Sequence, residues 1–175
     1  MKRIYKKDYG QALMSNLRRS WSMIGERAVL PQQQAFVNRY LYSAVSPLSG
    51  ESFHLVGLDD MDTDVTYAFL LELKKQFSTK EVILVWDNTP CHRPKKLHTI
   101  QGLTLISLPS YSPELNPAER FFEEIRRSTA NSIFEDIEKQ ETIISDSVKR
   151  WSENLSAMKQ LLGYQWIQDQ CYIVN

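Results

Sequence analysis

The six residues EVILVW, Glu81 to Trp86, form a nearly continuous apolar run that ends at Asp87. A strand with one wet face alternates between polar and apolar residues, so this run predicts a strand that is buried on both faces. Another strand is predicted at residues 102–108, and a short helix is expected after Pro94, between the two strands. A crossover of this kind indicates two parallel neighbours at the centre of a sheet.

The surrounding pattern predicts a hairpin before this pair and helices around it. Aromatic and β-branched residues at 36–45, a turn cluster at 46–50 and a returning segment at 51–58 indicate an antiparallel hairpin. Apolar residues at helical spacing follow at 63–77, and most of 117–162 is also predicted to be helical. This order of elements is typical of an α/β fold with a mixed sheet.

Composition limits the class of protein. The 175 residues are enough for one domain with a real core, and 21 basic residues balance 21 acidic ones. A zero net charge gives no overall attraction to nucleic acid, although a local basic face remains compatible with it.

No apolar run approaches the roughly 18 residues of a membrane span, and the charged start MKRIYKKDYG does not resemble a signal peptide. Two distant cysteines, Cys91 and Cys171, predict neither a disulfide framework nor a structural zinc site and favour a cytoplasmic location.

Two carboxylates follow elements in the way that ligand-binding residues of α/β proteins do. Asp87 directly follows the buried strand, and Glu119 stands where a proline-rich loop becomes a helix. Two acids that share a site repel one another, and Mg²⁺ or Mn²⁺, which prefer oxygen ligands, would remove that repulsion. Two such ions support phosphodiester chemistry, and a third carboxylate normally helps to hold them.

Each of these residues also has an ordinary structural interpretation. An aspartate after a strand is commonly a turn residue, and a glutamate in the first turn of a helix commonly answers the helix dipole. Asn116 as N-cap, with Pro117 at N1 and Glu119 at N3, fits capping chemistry. His92 alone is more typical of a hydrogen-bonded structural histidine than of a metal ligand. The spacing by itself therefore leaves catalysis and capping both open.

Two blocks of sequence together carry a family resemblance. VILVWDNTPCH followed by LPSYSPELNPAERFFEEIRR closely resembles the catalytic domain of mariner-like insertion-sequence transposases, which are DDE superfamily endonucleases. The family's second acid lies in a strand–Asp–Asn–x–x–x–His pattern, matched by Asp87, Asn88 and His92. Its third acid ends a Pro–x–Tyr–Ser–Pro–x–Leu–Asn–Pro–x–Glu pattern, matched by residues 109–119. The resemblance covers nearly the whole chain and implies a ribonuclease H-like mixed sheet of about five strands flanked by helices.

The family's first acid is where this sequence departs from the pattern. That acid should end the first strand as an Asp–Glu pair, about 14 residues before the tryptophan matched by Trp21. Counting back reaches Lys7, whereas Asp8 is one residue later and is followed by Tyr9. Either a one-residue deletion leaves Asp8 as the first acid, or the acid is lost. In the second case the chain is a transposase remnant that binds DNA or assembles without cutting.

The resemblance implies a site and a reaction. Asp8, Asp87 and Glu119 would be the catalytic and metal-binding residues for two Mg²⁺ or Mn²⁺ ions, supported by Asn88, His92 and Asn116. Water would cleave a phosphodiester at a transposon end, and the freed 3′-hydroxyl would then attack target DNA. A ribonuclease H or resolvase-like nuclease ranks lower, because such enzymes share the acids but not the SPELNP-type loop.

The resemblance also implies how the chain meets DNA. Sequence-independent phosphate contacts are expected from seven basic residues: Arg18, Arg19, Lys95, Lys96, Arg120, Arg126 and Arg127. Trp21 and Tyr111 are candidates for stacking on unpaired bases, although packing in the core or in a loop is the favoured role for both. We expect one catalytic domain over residues 1–175, without the family's N-terminal helix-turn-helix region, acting as a homodimer on DNA in a bacterial-type cytoplasm.

Overall fold

A computed structural model describes the backbone of residues 2–14, 18–27, 29–30, 34–92 and 94–172. Within these ranges it does not describe the side chains of residues 2, 3, 5, 7–14, 34–37, 90 and 170–172. All statements below refer to the described backbone and side chains.

Five strands form one mixed sheet in the order β3-β2-β1-β4-β5. The strands are β1 (Lys2–Met14), β2 (Gln34–Val45), β3 (Ser52–Leu58), β4 (Val82–Trp86) and β5 (Leu103–Ser107). The first three form an antiparallel meander, and β4 is parallel to both β1 and β5. The predicted hairpin is confirmed, since β2 and β3 are antiparallel neighbours, and the predicted parallel pair is confirmed as β4 and β5. Both belong to one sheet, which confirms the mixed sheet.

Five α-helices follow the sheet strands or cover their faces. They are α1 (Thr63–Gln76), α2 (Ala118–Ser128), α3 (Ile137–Glu153), α4 (Leu155–Leu162) and α5 (Gln165–Tyr172), and short 3₁₀ turns lie at Pro90–His92, Lys95–Thr99 and Pro113–Leu115. In the described part of the chain, none of the helices combines the length and the apolar character that a bilayer crossing requires.

Each face of the sheet carries its own apolar core. Ile4, Leu84 and Trp86 pack with α1 on one face. Ile83 and Val85, which alternate with them along β4, pack with α2, α3 and α4 on the other. Successive residues of a strand belong to opposite faces, so a strand with helices on both sides needs apolar residues at every position. That requirement explains the unbroken EVILVW run.

The first strand includes the charged start of the chain. β1 extends over Lys2–Met14 and lies at the centre of the sheet, between β2 and β4. Residues 2–5 pair with β4 and residues 5–14 pair with β2, and this pairing of the backbone outweighs the poor strand propensity of its lysines. Residues 18–27 around Trp21, by contrast, contain a turn but neither helix nor strand.

Candidate active site

The two conspicuous carboxylates line one cavity at the carboxyl edge of the sheet. Asp87 directly follows β4, and Glu119 lies in the first turn of α2. The cavity has a volume of about 380 Å³, and its walls also contain Asn88, Asn116 and the loop after β5. The parallel strands β4 and β5 end at this edge, which is where open α/β sheets bind ligands.

Asp87 is held by hydrogen bonds from its own loop. The Thr89 hydroxyl donates to Oδ1 of Asp87 at 3.0 Å, and the Thr89 amide donates to the same oxygen at 3.3 Å. Nδ1 of His92 lies 2.9 Å from Oδ1. Burial by itself raises the pKa of Asp87, but the hydrogen bonds that the His92 ring and Thr89 donate to the carboxylate outweigh it and hold the pKa low, at about 2. The carboxylate is therefore ionised at neutral pH.

His92 connects this carboxylate to a buried lysine. Nδ1 of His92 faces three oxygens, namely Oδ1 and the carbonyl of Asp87 and the Thr89 hydroxyl. We therefore assign the proton to Nδ1, which leaves Nε2 as the acceptor for Nζ of Lys6, 3.0 Å away. The imidazole also stacks on Trp86 with ring centroids 4.1 Å apart. This network fixes the orientation of Asp87 before any ligand binds.

Lys6 is fully buried on the α1 face of the sheet. Its Nζ lies 4.5 Å from the ring centroid of Tyr42, 5.4 Å from that of Phe69 and 5.5 Å from that of Trp86. Cation–π contacts and the bond to His92 offset part of the cost of burying an ammonium group. Nothing in the sequence singles out Lys6, since a lysine in a polar segment is ordinarily solvated.

Asn116 joins the start of α2 to the central strand. Its Oδ1 accepts from the amide of Ala118 at 3.1 Å, and its Nδ2 donates to the carbonyl of Lys6 at 3.0 Å. The amide of Glu119 donates to the Asn116 carbonyl at 3.0 Å. The helix begins at Ala118 with Pro117 at the cap position, one residue later than predicted, and Asn116 still accepts from a first-turn amide. The second bond adds a function that capping alone does not require, because it sets the helix, and Glu119 with it, against β1.

The register of β1 against β4 concerns the missing first acid. Tyr5 pairs with Val85 in the parallel ladder. This is the last pair of the ladder, and β4 ends at Trp86; continued in the same register, position 7 would be level with Asp87 and position 8 with Asn88. Neighbouring parallel strands place level residues on the same face of the sheet. This continued register favours position 7, rather than position 8, as the neighbour of Asp87.

The antiparallel partner β2 gives the same assignment of faces. Lys7 pairs with Ser43, whose hydroxyl lies 2.8 Å from Nδ1 of His54, a ring that stacks against α2. Asp8 pairs with Tyr42, which belongs to the core under α1. Position 7 thus belongs to the α2 face, with Glu119, and position 8 to the α1 face. The side chains of both residues lie outside the described part, so the assignment of Asp8 as an acid of the site stays a prediction.

The predicted basic residues fall into separate groups. Arg120, Arg126 and Arg127 line a second cavity of about 660 Å³, which shares Asn116 and Glu119 with the first cavity. Arg18, in the segment before β2, pairs with Glu123 of α2 at 2.8 Å. The exposed Arg19 follows it in the same segment.

Lys95 and Lys96 do not join these arginines. Both are exposed on the 3₁₀ turn at Lys95–Thr99, and Lys96 pairs with Asp64 at the start of α1. The same turn contributes Leu97 to the core under α1, on the opposite face of the sheet from α2. These two lysines therefore belong to a different surface from the one that borders Glu119.

The favoured packing roles of Trp21 and Tyr111 are wrong. Trp21 is 100% exposed and Tyr111 is 101% exposed, so neither ring contributes to a core. Tyr111 lines the cavity of Asp87 and Glu119, whereas Trp21 lies in the segment before β2.

Thr89 is a further residue that the sequence did not single out. The spacing Asp87–x–Thr89, typical of a side chain that caps its own turn, is the signal that would have found it.

One protein family and one curated relative match this chain. The family described as "DDE superfamily endonuclease" matches residues 9–142. A curated relative from Sinorhizobium fredii (strain NBRC 101917 / NGR234), called "Uncharacterized protein y4pE/y4sA", is 30% identical over 116 residues. That match covers 65% of this chain and 83% of the relative.

Solved structures show the same fold at low sequence identity. A pre-cleavage Mos1 transpososome has a TM-score of 0.63 at 13% identity and covers 93% of this chain. The Mos1 mariner paired-end complex with Mn has a TM-score of 0.62 at 14% identity with the same coverage. The catalytic core domain of HTLV-2 integrase has a TM-score of 0.51 at 9% identity and covers 87%. This chain spans about 56% of the Mos1 chains and 83% of the integrase core.

Proposed function

Because this chain belongs to the DDE superfamily of endonucleases, we propose that its Asp87–Glu119 cavity is the catalytic centre of a transposase domain. The observation that carries the proposal is that both family acids line one cavity, although a strand and a proline-rich loop separate them in sequence. The reaction is cleavage of a DNA phosphodiester at a transposon end, followed by transfer of the freed strand to target DNA.

Divalent metal ions fit the chemistry of this cavity. Enzymes of this superfamily use such ions, and Mos1 has been solved with Mn and with Mg. Asp87 and Glu119 supply the hard oxygen ligands that these ions prefer, and the depressed pKa of Asp87 keeps its carboxylate ionised. The described side chains contain no group of three or more potential metal ligands. Asp8 is our proposed third ligand by family resemblance, although β1 pairs position 8 with Tyr42, on the α1 face of the sheet. When bound, the ions would activate the attacking oxygen and stabilise the leaving one.

DNA is the proposed partner at the same edge of the sheet. Arg120, Arg126 and Arg127 border the second cavity, which meets the first at Glu119, so a phosphate backbone would pass from the acids to the arginines. Contacts of this kind position DNA without reading its sequence. Pairing of DNA ends by two copies of the chain is part of the same proposal.

A second candidate function follows from the register of β1. If the place beside Asp87 belongs to Lys7, the site has lost its first acid and the domain binds DNA without cutting it. The two candidates make opposite predictions for two substitutions. If the domain is a nuclease that uses Asp8, Asp8→Asn abolishes cleavage. If the domain has lost its first acid, the unmodified chain does not cleave, and Lys7→Asp introduces metal-dependent cleavage.

The test is nicking of a labelled duplex in Mg²⁺ or Mn²⁺. We expect Asp87→Asn and Glu119→Gln each to lower the rate by about 100-fold or more, because each removes a metal ligand. Glu138→Gln is the matched control, since Glu138 is also a first-turn carboxylate, in α3, but lies away from the cavity. Equal rates of cleavage for all four proteins would refute the assignment. If Glu138→Gln also lost activity, removal of any first-turn carboxylate would have the same effect, and the result for Glu119→Gln would not indicate a metal ligand.

A further inference from the structure

Lys6 contacts both elements that carry the acids of the cavity. Its side chain reaches the loop after β4, where Nζ lies 3.0 Å from Nε2 of His92. Its carbonyl accepts from Nδ2 of Asn116, at the start of α2, also at 3.0 Å. Asp87 belongs to the first of these elements and Glu119 to the second. One buried residue of the central strand therefore bonds a close neighbour of each acid.

The side chain of Lys6 determines which nitrogen of His92 carries the proton. A lysine ammonium has three donors and no acceptor, so the ring nitrogen beside it must offer a lone pair. That nitrogen is Nε2, and a proton on it would face the donors of Lys6 directly. Rings of Tyr42, Phe69 and Trp86 lie around Nζ, and aromatic faces attract a cation. The buried ammonium group therefore favours the His92 tautomer with its proton on Nδ1.

The choice of tautomer controls two of the three hydrogen bonds on Asp87. With its proton on Nδ1, His92 donates to Oδ1 of Asp87 at 2.9 Å. In the other tautomer, Nδ1 would present a lone pair to that oxygen. It would also compete for the Thr89 hydroxyl, which lies 2.9 Å from Nδ1 and 3.0 Å from Oδ1. Of the three donors, the Thr89 amide alone would then remain, at 3.3 Å.

All three donors reach the same oxygen of Asp87. Each of them bonds Oδ1, in a side chain that is 39% exposed and lines the cavity. A carboxylate with one oxygen fixed by donors presents its other oxygen to a ligand in a defined orientation. The orientation of Oδ2 therefore depends on His92, and through His92 on Lys6.

We propose that Lys6 is a positioning residue of the metal site. From the core under α1, its ammonium group selects the Nδ1–H tautomer of His92, which then holds Oδ1 of Asp87 and leaves Oδ2 for the ion. Lys6 is fully buried, lines neither cavity and lies outside the residues that match the family pattern. This inference rests on the proposed function, and it adds a residue that acts on a metal ligand through another side chain.

The first test uses the unmodified chain. Nuclear magnetic resonance of protein labelled with ¹⁵N in its histidine rings shows which nitrogen of each ring carries the proton. We expect His92 to be the Nδ1–H tautomer, and loss of its signals in His92→Ala identifies them. His54 and His98 are the other two histidines and serve as internal references. A proton on Nε2 of His92 would mean that Lys6 accepts from the ring, which would overturn the proposal.

The second test measures Mn²⁺ binding by isothermal titration. Lys6→Met keeps a side chain of similar length and the carbonyl bond to α2 but removes the donor to His92, so we expect Mn²⁺ to bind about tenfold more weakly. Leu73→Ala is the control, because it removes a buried side chain from the same core under α1. It lowers the stability of the fold and leaves the Kd for Mn²⁺ unchanged. Equal weakening in both variants would show that any loss of packing under α1 disturbs the site, and would overturn the proposal.

A double-mutant cycle shows whether Lys6 acts through His92. In a His92→Ala background, Lys6→Met has no further effect on the Kd for Mn²⁺ if the ring transmits its effect. Independent losses from the two substitutions would contradict the proposed route.

The outcomes also separate this inference from the function on which it rests. Mn²⁺ binding that Asp87→Asn weakens but Lys6→Met does not refutes the positioning role and leaves the metal site intact. Failure of the unmodified chain to bind Mn²⁺ refutes both.

Discussion

The two loops that leave the carboxyl edge of the sheet are built in opposite ways. After β4, Asp87, Thr89 and His92 bond one another, and His92 is buried against Trp86. After β5, the loop places Tyr111 in the solvent with a left-handed backbone. The first loop fixes its polar groups before a ligand arrives, whereas the aromatic ring of the second loop packs against nothing in the protein. This contrast fits the proposed role of the first loop, which is to hold Asp87 in place as a metal ligand.

The largest expected effect on stability is in the fixed loop. His92→Ala removes a buried ring that stacks on Trp86 and bonds both Asp87 and Lys6, so we expect a loss of about 3 kcal/mol in the free energy of unfolding. Urea denaturation measures it. His98→Ala is the control, since His98 is exposed on a 3₁₀ turn. A cost below about 1 kcal/mol would mean that the β4 loop is not fixed by this network.

The next effect concerns the link between α2 and the central strand. Asn116→Ala loses both a helix cap and the bond to the Lys6 carbonyl, for which we expect about 2 kcal/mol. Asn154→Ala is matched to it, because Asn154 caps α4 through the Ala157 amide but has a more exposed position. That variant should cost about 1 kcal/mol. Equal costs in urea denaturation would show that the bond to β1 contributes nothing.

The exposed loop should respond in the opposite direction. Tyr111→Gly relieves the left-handed backbone, so we expect stability to increase by about 0.5–1 kcal/mol despite the greater entropy of the unfolded chain. Differential scanning calorimetry gives the shift in Tm. A loss of stability would erase the contrast between the two loops, since it would show that the ring supports the fold.

The smallest effect is the pH dependence of Asp87. Its folded pKa of about 2 lies below the ordinary value of 3.8, so its ionised form stabilises the folded state above pH 3.8. That contribution is lost as the pH falls from about 4 to about 2. The side chain is 39% exposed and solvent screens it, so we expect less than about 1 kcal/mol. The difference in unfolding free energy between wild type and Asp87→Asn should shrink over this window, and a constant difference would argue against the bonds from His92 and Thr89.

The sequence predicted the frame of the site because its signals were local. The run at 82–86 required cover on both faces, and the acid at its end then had to lie at the edge where parallel strands meet. Asn116 and Pro117 indicated the start of the helix that brings Glu119 to the same edge. The resemblance to DDE endonucleases and to the integrase-like fold is confirmed on this frame.

What the sequence did not predict depends on contacts between distant segments. Lys6 is buried because three aromatic rings from other elements surround it, and nothing in KRIYKK indicates those neighbours. The exposure of Tyr111 depends on a backbone angle that a tyrosine rarely adopts, so its identity argued for packing. The register of β1 likewise depends on pairing with two strands, which is why counting along the chain left Lys7 and Asp8 as alternatives.

The central claim is that Asp87 and Glu119 form one divalent-metal site, and Mn²⁺ binding to the intact protein tests it most directly. Isothermal titration would compare wild type with Asp87→Asn, Glu119→Gln and the control Glu138→Gln. We predict that each of the first two weakens Mn²⁺ binding by about tenfold or more and that the control does not change it. Unchanged affinity in both Asp87→Asn and Glu119→Gln would contradict the claim.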